Sequence, residues 1–214
     1  MLANELEVDS ASRRMLDIIR RESERLNRTL TDFLAFARPA PFAPVEFDLK
    51  RAISESVALL KNSSEVSPKH VVEERYPDSA CIIVGDPNQV RQIFWNLARN
   101  GLQAMGDGGR LTVTLEPTAM GFRLEIGDEG TGMSTAQISH VFEPFATTKS
   151  GGTGLGMAIV YQFVQDHGGR ITVESEVGVG TRVGVELRLR AEPATPSRVE
   201  TTESPLPLPG ERRG

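Results

Sequence analysis

Cysteine is almost absent from this sequence. Cys81 is the only one in 214 residues, so an intrachain disulfide is excluded. A reducing compartment fits that usage. Long apolar runs are missing too: no stretch approaches the roughly 18 residues that a membrane-crossing helix needs. Met1 to Glu7 lacks the basic-then-apolar order of a secretory leader. The expected location is cytoplasmic, and a membrane segment upstream in a longer parent protein is compatible with that. Nor is positive charge concentrated. The formal net charge is -5, and no Lys/Arg stripe marks a nucleic-acid partner, so none is expected.

What is present is a soluble composition, 39% hydrophobic and 25% charged, with one main domain and appendages. Asp9 to Arg38 reads as one amphipathic helix, with Asp9, Ser10 and Ser12 as candidate caps. Met15, Ile18, Ile19, Leu26, Leu30, Phe33, Leu34 and Ala37 recur at helical spacing and need a partner surface, such as a helical hairpin or bundle. Pro39 and Pro41 stop the helix. Asp48 caps a helix from Leu49 to Lys61. Strands are expected over His70–Tyr76 and Ala80–Val84. Asp86-Pro87 starts a third helix that runs to about Met105. After the turn Asp107-Gly108-Gly109, alternating strands follow at Arg110–Leu115 and Phe122–Gly127. A helix from about Gly154 to His167 precedes a strand pair, Arg170–Ser175 and Thr181–Arg190. This order predicts an α+β fold, a two-layer sandwich with helices on one face of a mixed sheet. From Ala191 the chain holds too little apolar surface to offset its ordering entropy and is expected to be disordered.

Four motifs within this region carry chemistry. Asn96 and Asn100 lie four apart on one helix face. A neutral amide there can ligate a Mg²⁺ already held by phosphates, or both can be exposed polar residues. Asp128-Glu129-Gly130-Thr131-Gly132-Met133 follows a strand. Its carboxylate can accept a hydrogen bond from an exocyclic amine, which adenine has and guanine lacks at that position. An ordinary Asp/Gly turn is the alternative. Phe142-Glu143-Pro144-Phe145 leads into Ala146-Thr147-Thr148-Lys149, a loop that can fold over a ligand with Lys149 near phosphate, or simply be pinned to the core. Gly151-Gly152-Thr153-Gly154-Leu155-Gly156-Met157 opens a helix whose free N–H groups suit phosphate. It has neither the Gly-Lys-Ser/Thr ending of a P-loop nor a dinucleotide fingerprint.

In this order the motifs resemble the N, G1, F and G2 boxes of the histidine kinase catalytic domain, in the superfamily of gyrase, Hsp90-type chaperones, histidine kinases and mismatch-repair ATPases. The resemblance covers about Val45 to Arg190, including Gly178-Val179-Gly180-Thr181. It implies the Bergerat ATP-binding fold, with residues 42–190 as the catalytic domain. Residues 1–41 look like the C-terminal part of a dimerisation and phosphotransfer hairpin with its linker, and residues 191–214 form the tail. Phe142 to Lys149 is similar to the nitrogen-regulation and pilus-type sensor kinases.

Carried over by position, the resemblance implies ATP and Mg²⁺ as ligands. Asn100 would be the metal ligand, supported by Asn96. Asp128 would take the adenine amine, Gly130 and Gly132 would shape the pocket, and Met133, Phe142 and Thr181 would also bind the nucleotide. Lys149 would neutralise phosphate, and Gly152, Thr153, Gly154, Leu155, Gly156 and Met157 would form the lid hinge and phosphate loop. Asn96, Asn100 and Lys149 are the expected catalytic residues. Departures are Gly101, where alanine is usual and which costs about 1 kcal/mol against Ala in mid-helix, and Met157 for leucine. Gln103 stands where a basic residue is common, which shifts weight to Lys149 or Arg99.

A phosphoacceptor histidine is also lacking. His70, His140 and His167 have neither an acidic neighbour followed by proline nor a place on the leading helix, and structural or surface roles are expected for them. Met1 to Leu6 resembles the last turns of the hairpin's first helix, so the acceptor is expected just upstream. The expected function is therefore donation of the γ-phosphoryl of ATP to a histidine outside this chain, for relay to a response-regulator aspartate. The expected partners are that regulator and the hairpin of the same or a partner kinase, with a homodimer in the full-length protein. Competing readings are a nucleotide-binding interaction module without transfer activity, a water-attacking ATPase, and an anti-sigma type serine kinase. The ATPase relatives carry a glutamate where this chain has Asn96.

Overall fold

A computed structural model describes residues 10–38, 40–106, 108–147 and 152–189. The expected cap Asp9, the turn residue Asp107, the lid residues Thr148, Lys149 and Gly151, and the tail 191–214 lie outside the described residues, as does Met1 to Leu6.

The chain runs α1 (Ser10–Ala37), β1 (Val45–Asp48), α2 (Leu49–Lys61), β2 (His70–Arg75), β3 (Ile82–Gly85), α3 (Pro87–Met105), β4 (Gly109–Pro117), β5 (Gly121–Asp128), α4 (Thr135–Ser139), α5 (Gly156–Asp166), β6 (Arg170–Glu176) and β7 (Gly180–Arg188). Five strands form one mixed sheet in the order β2-β4-β5-β7-β6, parallel only between β2 and β4. Strands β1 and β3 form a small antiparallel sheet, and the Val84 N–H donates to the Leu189 carbonyl at its edge. The short elements β1 and α4 were not expected: four- and five-residue segments are too brief to display a period.

Alternation along β4, β5 and β7 separates two faces. Leu111, Val113, Leu115, Leu124, Ile126, Val183, Val185 and Leu187 are buried on the inner face. They pack with Leu49, Ile53, Val57 and Leu60 of α2, Ile93, Phe94 and Leu97 of α3, and Ile159, Val160 and Phe163 of α5. The outer face carries charge. Arg110 pairs with Glu73 at 2.6 Å and Arg123 with Glu125 at 3.3 Å. The helices thus cover one face of the sheet, as the strand pattern required.

Capping agrees with the sequence. Asp48 Oδ1 accepts from the N–H groups of Lys50 (3.0 Å) and Arg51 (3.4 Å), and also from Cys81 N–H at 3.2 Å. One carboxylate therefore starts α2 and ties it to the approach to β3. Asp48→Ala is expected to cost about 1–2 kcal/mol, read as a lower urea midpoint with an unchanged denaturant slope.

α1 stands apart from this core. Met15, Ile18, Ile19, Leu26, Leu30, Phe33 and Leu34 are all exposed, while Ala35 and Phe36 at its end pack on the core. Its apolar stripe has no partner surface among the described residues. Among them, too, no helix is long and apolar enough to cross a membrane.

Candidate functional site

β5 ends on its inner face with Asp128, register partner of Thr181 on β7, which is itself the partner of Ser175 on β6. The Gly130 N–H donates to Asp128 Oδ1 at 2.9 Å, fixing the carboxylate in a turn. The hydroxyl network beside it is fully accounted for. Ser175 Oγ donates to the Gly180 carbonyl (3.0 Å) and accepts from the Met133 N–H (2.8 Å), so the proton in its 2.8 Å bond to Thr181 comes from Thr181 Oγ1. Thr181 is left with acceptor lone pairs beside Asp128. The sequence reading missed Ser175. Its signal was available in the symmetric placement of Ser175 and Thr181 about the turn glycine Gly178.

α3 is bound to this strand end. The Thr131 N–H donates to the Ala104 carbonyl at 3.1 Å, satisfying an end-of-helix acceptor. Gly101 explains itself here: a β-carbon at that position would sit 2.8 Å from Leu111 Cδ1 and 3.1 Å from Asp128 Cβ. The glycine expected to weaken α3 lets the helix lie directly against the Asp128 strand end.

The other end of the site is the start of α5. No side chain caps this helix. It begins at Gly156, two residues later than expected, because Gly154 has φ +66°, outside the right-handed helical region; Leu155 N–H turns back to Thr153 Oγ1 at 3.3 Å. α3 faces it through Asn96. A β-carbon on Gly156 would be 3.1 Å from Asn96 Oδ1. Asn96 Nδ2 is buried and makes no hydrogen bond among the described residues. Asn100 lies one turn further along α3 on the same face, toward Asp128.

The loop between the two ends is clasped at its base. The Phe145 N–H donates to the Gly154 carbonyl at 3.0 Å. Phe145 has φ +67° and Gly154 φ +66°; a side chain on Gly154 would overlap the Phe145 backbone. Phe142 packs on Tyr161 of α5 with ring centroids 5.5 Å apart, and Phe145 meets Phe36 of α1 edge-on at 6.3 Å. Gly132 and Met133 sit between Asp128 and the β6–β7 turn, and Gly152, Thr153 and Met157 at the loop's return. Thus Asn96, Asn100, Asp128, Gly130, Gly132, Met133, Thr181 and the Thr153–Met157 run converge on one end of the sheet, with Phe142 anchoring the connecting loop.

Arg99 does not join them. Its Nε is bound to both carboxylate oxygens of Glu65, at 2.9 and 3.0 Å, and its guanidinium lies 4.9 Å over the Trp95 ring. The expectation that it compensates for Gln103 is corrected: neighbouring side chains of opposite charge and aromatic character hold it elsewhere. The histidines are dispersed. His140 pairs with Glu143 on the surface, His70 Nδ1 accepts from Ser67 N–H, and His167 is buried.

The family described as "Histidine kinase-, DNA gyrase B-, and HSP90-like ATPase" matches residues 85–191, the span from the end of β3 through the glycine-rich run before α5 to the last strand. Among curated proteins, the sensor histidine kinase ZraS of Escherichia coli (strain K12) is 33% identical over 170 residues, 78% of this chain and 36% of ZraS. Sporulation kinase C of Bacillus subtilis (strain 168) is 33% identical over 177 residues, 82% of this chain and 41% of that kinase. The chain therefore spans only about two fifths of the length of these relatives. Among solved structures, full-length ShkA in complex with AMPPNP superposes with a TM-score of 0.68 at 25% identity, covering 86% of this chain and 40% of ShkA. A five-stranded mixed sheet with its Asp128 end closed by α3 and α5, matched along that span, places the chain in the histidine kinase-, DNA gyrase B- and HSP90-like ATPase family, as an ATP-binding catalytic domain of the sensor histidine kinase kind.

Proposed function

We propose that this chain holds ATP between Asp128 and the start of α5 and presents its γ-phosphoryl to a histidine outside the chain. One observation carries the reading: the fixed carboxylate of Asp128 and the uncapped start of α5 lie at two ends of a single face of α3, the face that bears Asn96 and Asn100. Adenine suits the first end. Asp128 Oδ1 accepts from the Gly130 N–H, which orients the carboxylate toward the exocyclic amine, with Thr181, Gly132 and Met133 around the ring. Phosphate suits the second end, where the open N–H groups of Gly156 and Met157 and the helix dipole favour an anion. Gly152, Thr153, Gly154 and Leu155 shape the approach. Lys149 and Phe142 act from the intervening loop, Lys149 as a counter-charge and Phe142 as its anchor.

The fit to a magnesium ion rests on the amides. Among the described residues no cluster of three His, Cys, Asp or Glu side chains could hold a metal. An ion here would be held chiefly by the phosphates, with the Asn100 amide oxygen as its protein ligand. When bound, Mg²⁺ neutralises phosphate charge. Asn96, with its orphan Nδ2, donates to a phosphate oxygen. No side chain on this face is a general base, since an amide cannot take a proton from water, and this disfavours ATP hydrolysis as the task. The protein positions the nucleotide so that an external imidazole nitrogen attacks the γ-phosphorus in line, the bond to the β–γ bridging oxygen breaks, and ADP departs.

The chain's other parts follow from this reading. The exposed stripe of α1 is the surface for the hairpin helix that carries the acceptor histidine, in a cytoplasmic homodimer. The product is relayed to an aspartate of a response regulator. Residues 1–41, 42–190 and 191–214 divide into hairpin end and linker, catalytic domain, and tail.

The test is phosphorylation in trans. Incubated with γ-labelled ATP and a hairpin from a similar sensor kinase, the chain is expected to label the hairpin histidine, with an acid-labile, base-stable bond. A chain that binds ATP yet labels no hairpin is instead a nucleotide-dependent interaction module.

A further inference from the structure

His167 sits at the end of α5 farthest from the phosphate loop, and nothing in the proposed reaction uses it. It is 1% exposed. Its Nε2 accepts the Asp86 backbone N–H at 3.0 Å, and its Nδ1 lies 2.7 Å from the Phe163 carbonyl. An N–H can only donate and a carbonyl can only accept, so the ring is neutral with its proton on Nδ1. Close approach is built in. A β-carbon on Gly85 would lie 2.7 Å from His167 Cδ2, so only glycine admits the ring there.

Asp86 is the cap of α3, with Oδ1 accepting from Asn88 N–H at 2.9 Å and Gln89 N–H at 3.4 Å. Its second oxygen, Oδ2, accepts from the Ala43 N–H at 3.2 Å, in the segment joining α1 to β1. The neighbouring Phe42 ring stands edge-on to the His167 ring at 4.9 Å. One imidazole therefore joins three pieces: the end of α5, the start of α3 and the segment that follows α1. The two helices are antiparallel. They touch at Asn96 and Gly156 beside the proposed phosphate site and at Asp86 and His167 at the opposite end.

We propose that His167 is a positioning residue for the nucleotide site: in its neutral form it locks α5 to α3 and both to the Phe42–Ala43 segment, setting the spacing of Asn96 and Gly156 and registering where α1 departs. The inference rests on the nucleotide reading of α3 and α5. The charged groups facing His167 are Asp86 on α3 and Asp166 beside it on α5; Gln89 Nε2 holds Asp166 Oδ2 at 3.1 Å, and Phe42 and Gly85 bring no charge. Burial pushes the His167 pKa down, and the Phe163 carbonyl and the two carboxylates offset this only in part. A second proton would have to go on Nε2, against the Asp86 N–H, and would break the lock. The folded pKa is lowered, so the stabilisation is complete above the ordinary histidine range and is lost as pH falls through the folded value.

The test uses the whole 214-residue chain and Mg²⁺-ATP titrated by calorimetry from about pH 8 to about pH 5.5, a range that brackets the ordinary histidine pKa. His167→Phe, which keeps a ring but no acceptor, is expected to bind about tenfold more weakly at neutral pH, the scale of one lost buried hydrogen bond. His167→Gln, whose Oε1 can accept from Asp86, should recover most of that. The ratio of wild-type to His167→Gln affinity should fall as the pH drops, which cancels the titration of ATP itself. Imidazole ¹⁵N resonances should report the Nδ1–H tautomer, a readout that survives if His167→Phe fails to fold. An Nε2–H tautomer, or affinities equal across all three proteins at every pH, overturns the inference. A wild-type chain that binds no ATP overturns the nucleotide reading instead.

Discussion

Asp128→Asn is expected to weaken Mg²⁺-ATP binding by about a hundredfold while leaving the fold intact. The substitution conserves shape, so the Gly130 N–H still finds an oxygen at the Oδ1 position. The opposite atom then becomes an NH₂ group, which faces the amine of adenine as donor against donor. A charge-assisted hydrogen bond, worth about 1.5–3 kcal/mol, is exchanged for an unsatisfied contact. Calorimetric titration reads the affinity, and thermal unfolding of the free chain verifies that stability is unchanged. Inosine triphosphate, which carries a carbonyl in place of the amine, makes the test specific. It should bind the wild type about as poorly as ATP binds the variant, whereas the NH₂ of the variant can donate to that carbonyl, so its preference should shift from ATP toward inosine triphosphate. Undiminished ATP affinity in Asp128→Asn would remove the adenine assignment and with it the orientation of the nucleotide.

Gly180→Ala is expected to produce the largest loss of stability. Gly180 has φ +137°, a backbone conformation closed to alanine, and a β-carbon there would overlap the carbonyl oxygen of Asp128. No flexible side chain can yield, because the obstacle is the backbone of the paired strand. The cost is roughly 3 kcal/mol or more. It falls on the pairing of Asp128 with Thr181, so nucleotide binding should fail together with stability. Gly178→Ala is the control. Gly178 also has positive φ, +81°, but a β-carbon there meets nothing within 4 Å, so about 1 kcal/mol is expected from backbone strain alone. Equal shifts of the urea midpoint in the two variants would show that the contact with Asp128 is not what makes Gly180 necessary.

Both variants act at positions that were unequally legible in the sequence. Asp128 was evident from its place after an alternating strand and before two glycines. Gly180 read only as a turn residue; its contact with Asp128 joins residues 52 positions apart through strand pairing, which no local pattern encodes. Gly101 was misleading for the same reason. Judged along its own helix it is a weak point, and judged against β5 it is the residue that lets α3 reach the site. Arg99 reads from the sequence as available to the site, but Glu65 and Trp95, distant in sequence or on its own helix, hold it elsewhere.

The sequence by itself determined the helix starts at Asp48 and Asp86, the alternating strands, the order of the four motifs and the family. Each of these depends on neighbours within a few residues, where propensity, capping and side-chain period act. Only the tertiary structure decided that β2 lies parallel beside β4, that Ser175 and Thr181 share one network, that Asn96 faces Gly156, and that a buried His167 ties α5 to α3 and to the segment after α1. Those are contacts between distant parts of the chain. They are set by which faces the sheet and helices must bury together, and that choice is made by the packed core as a whole.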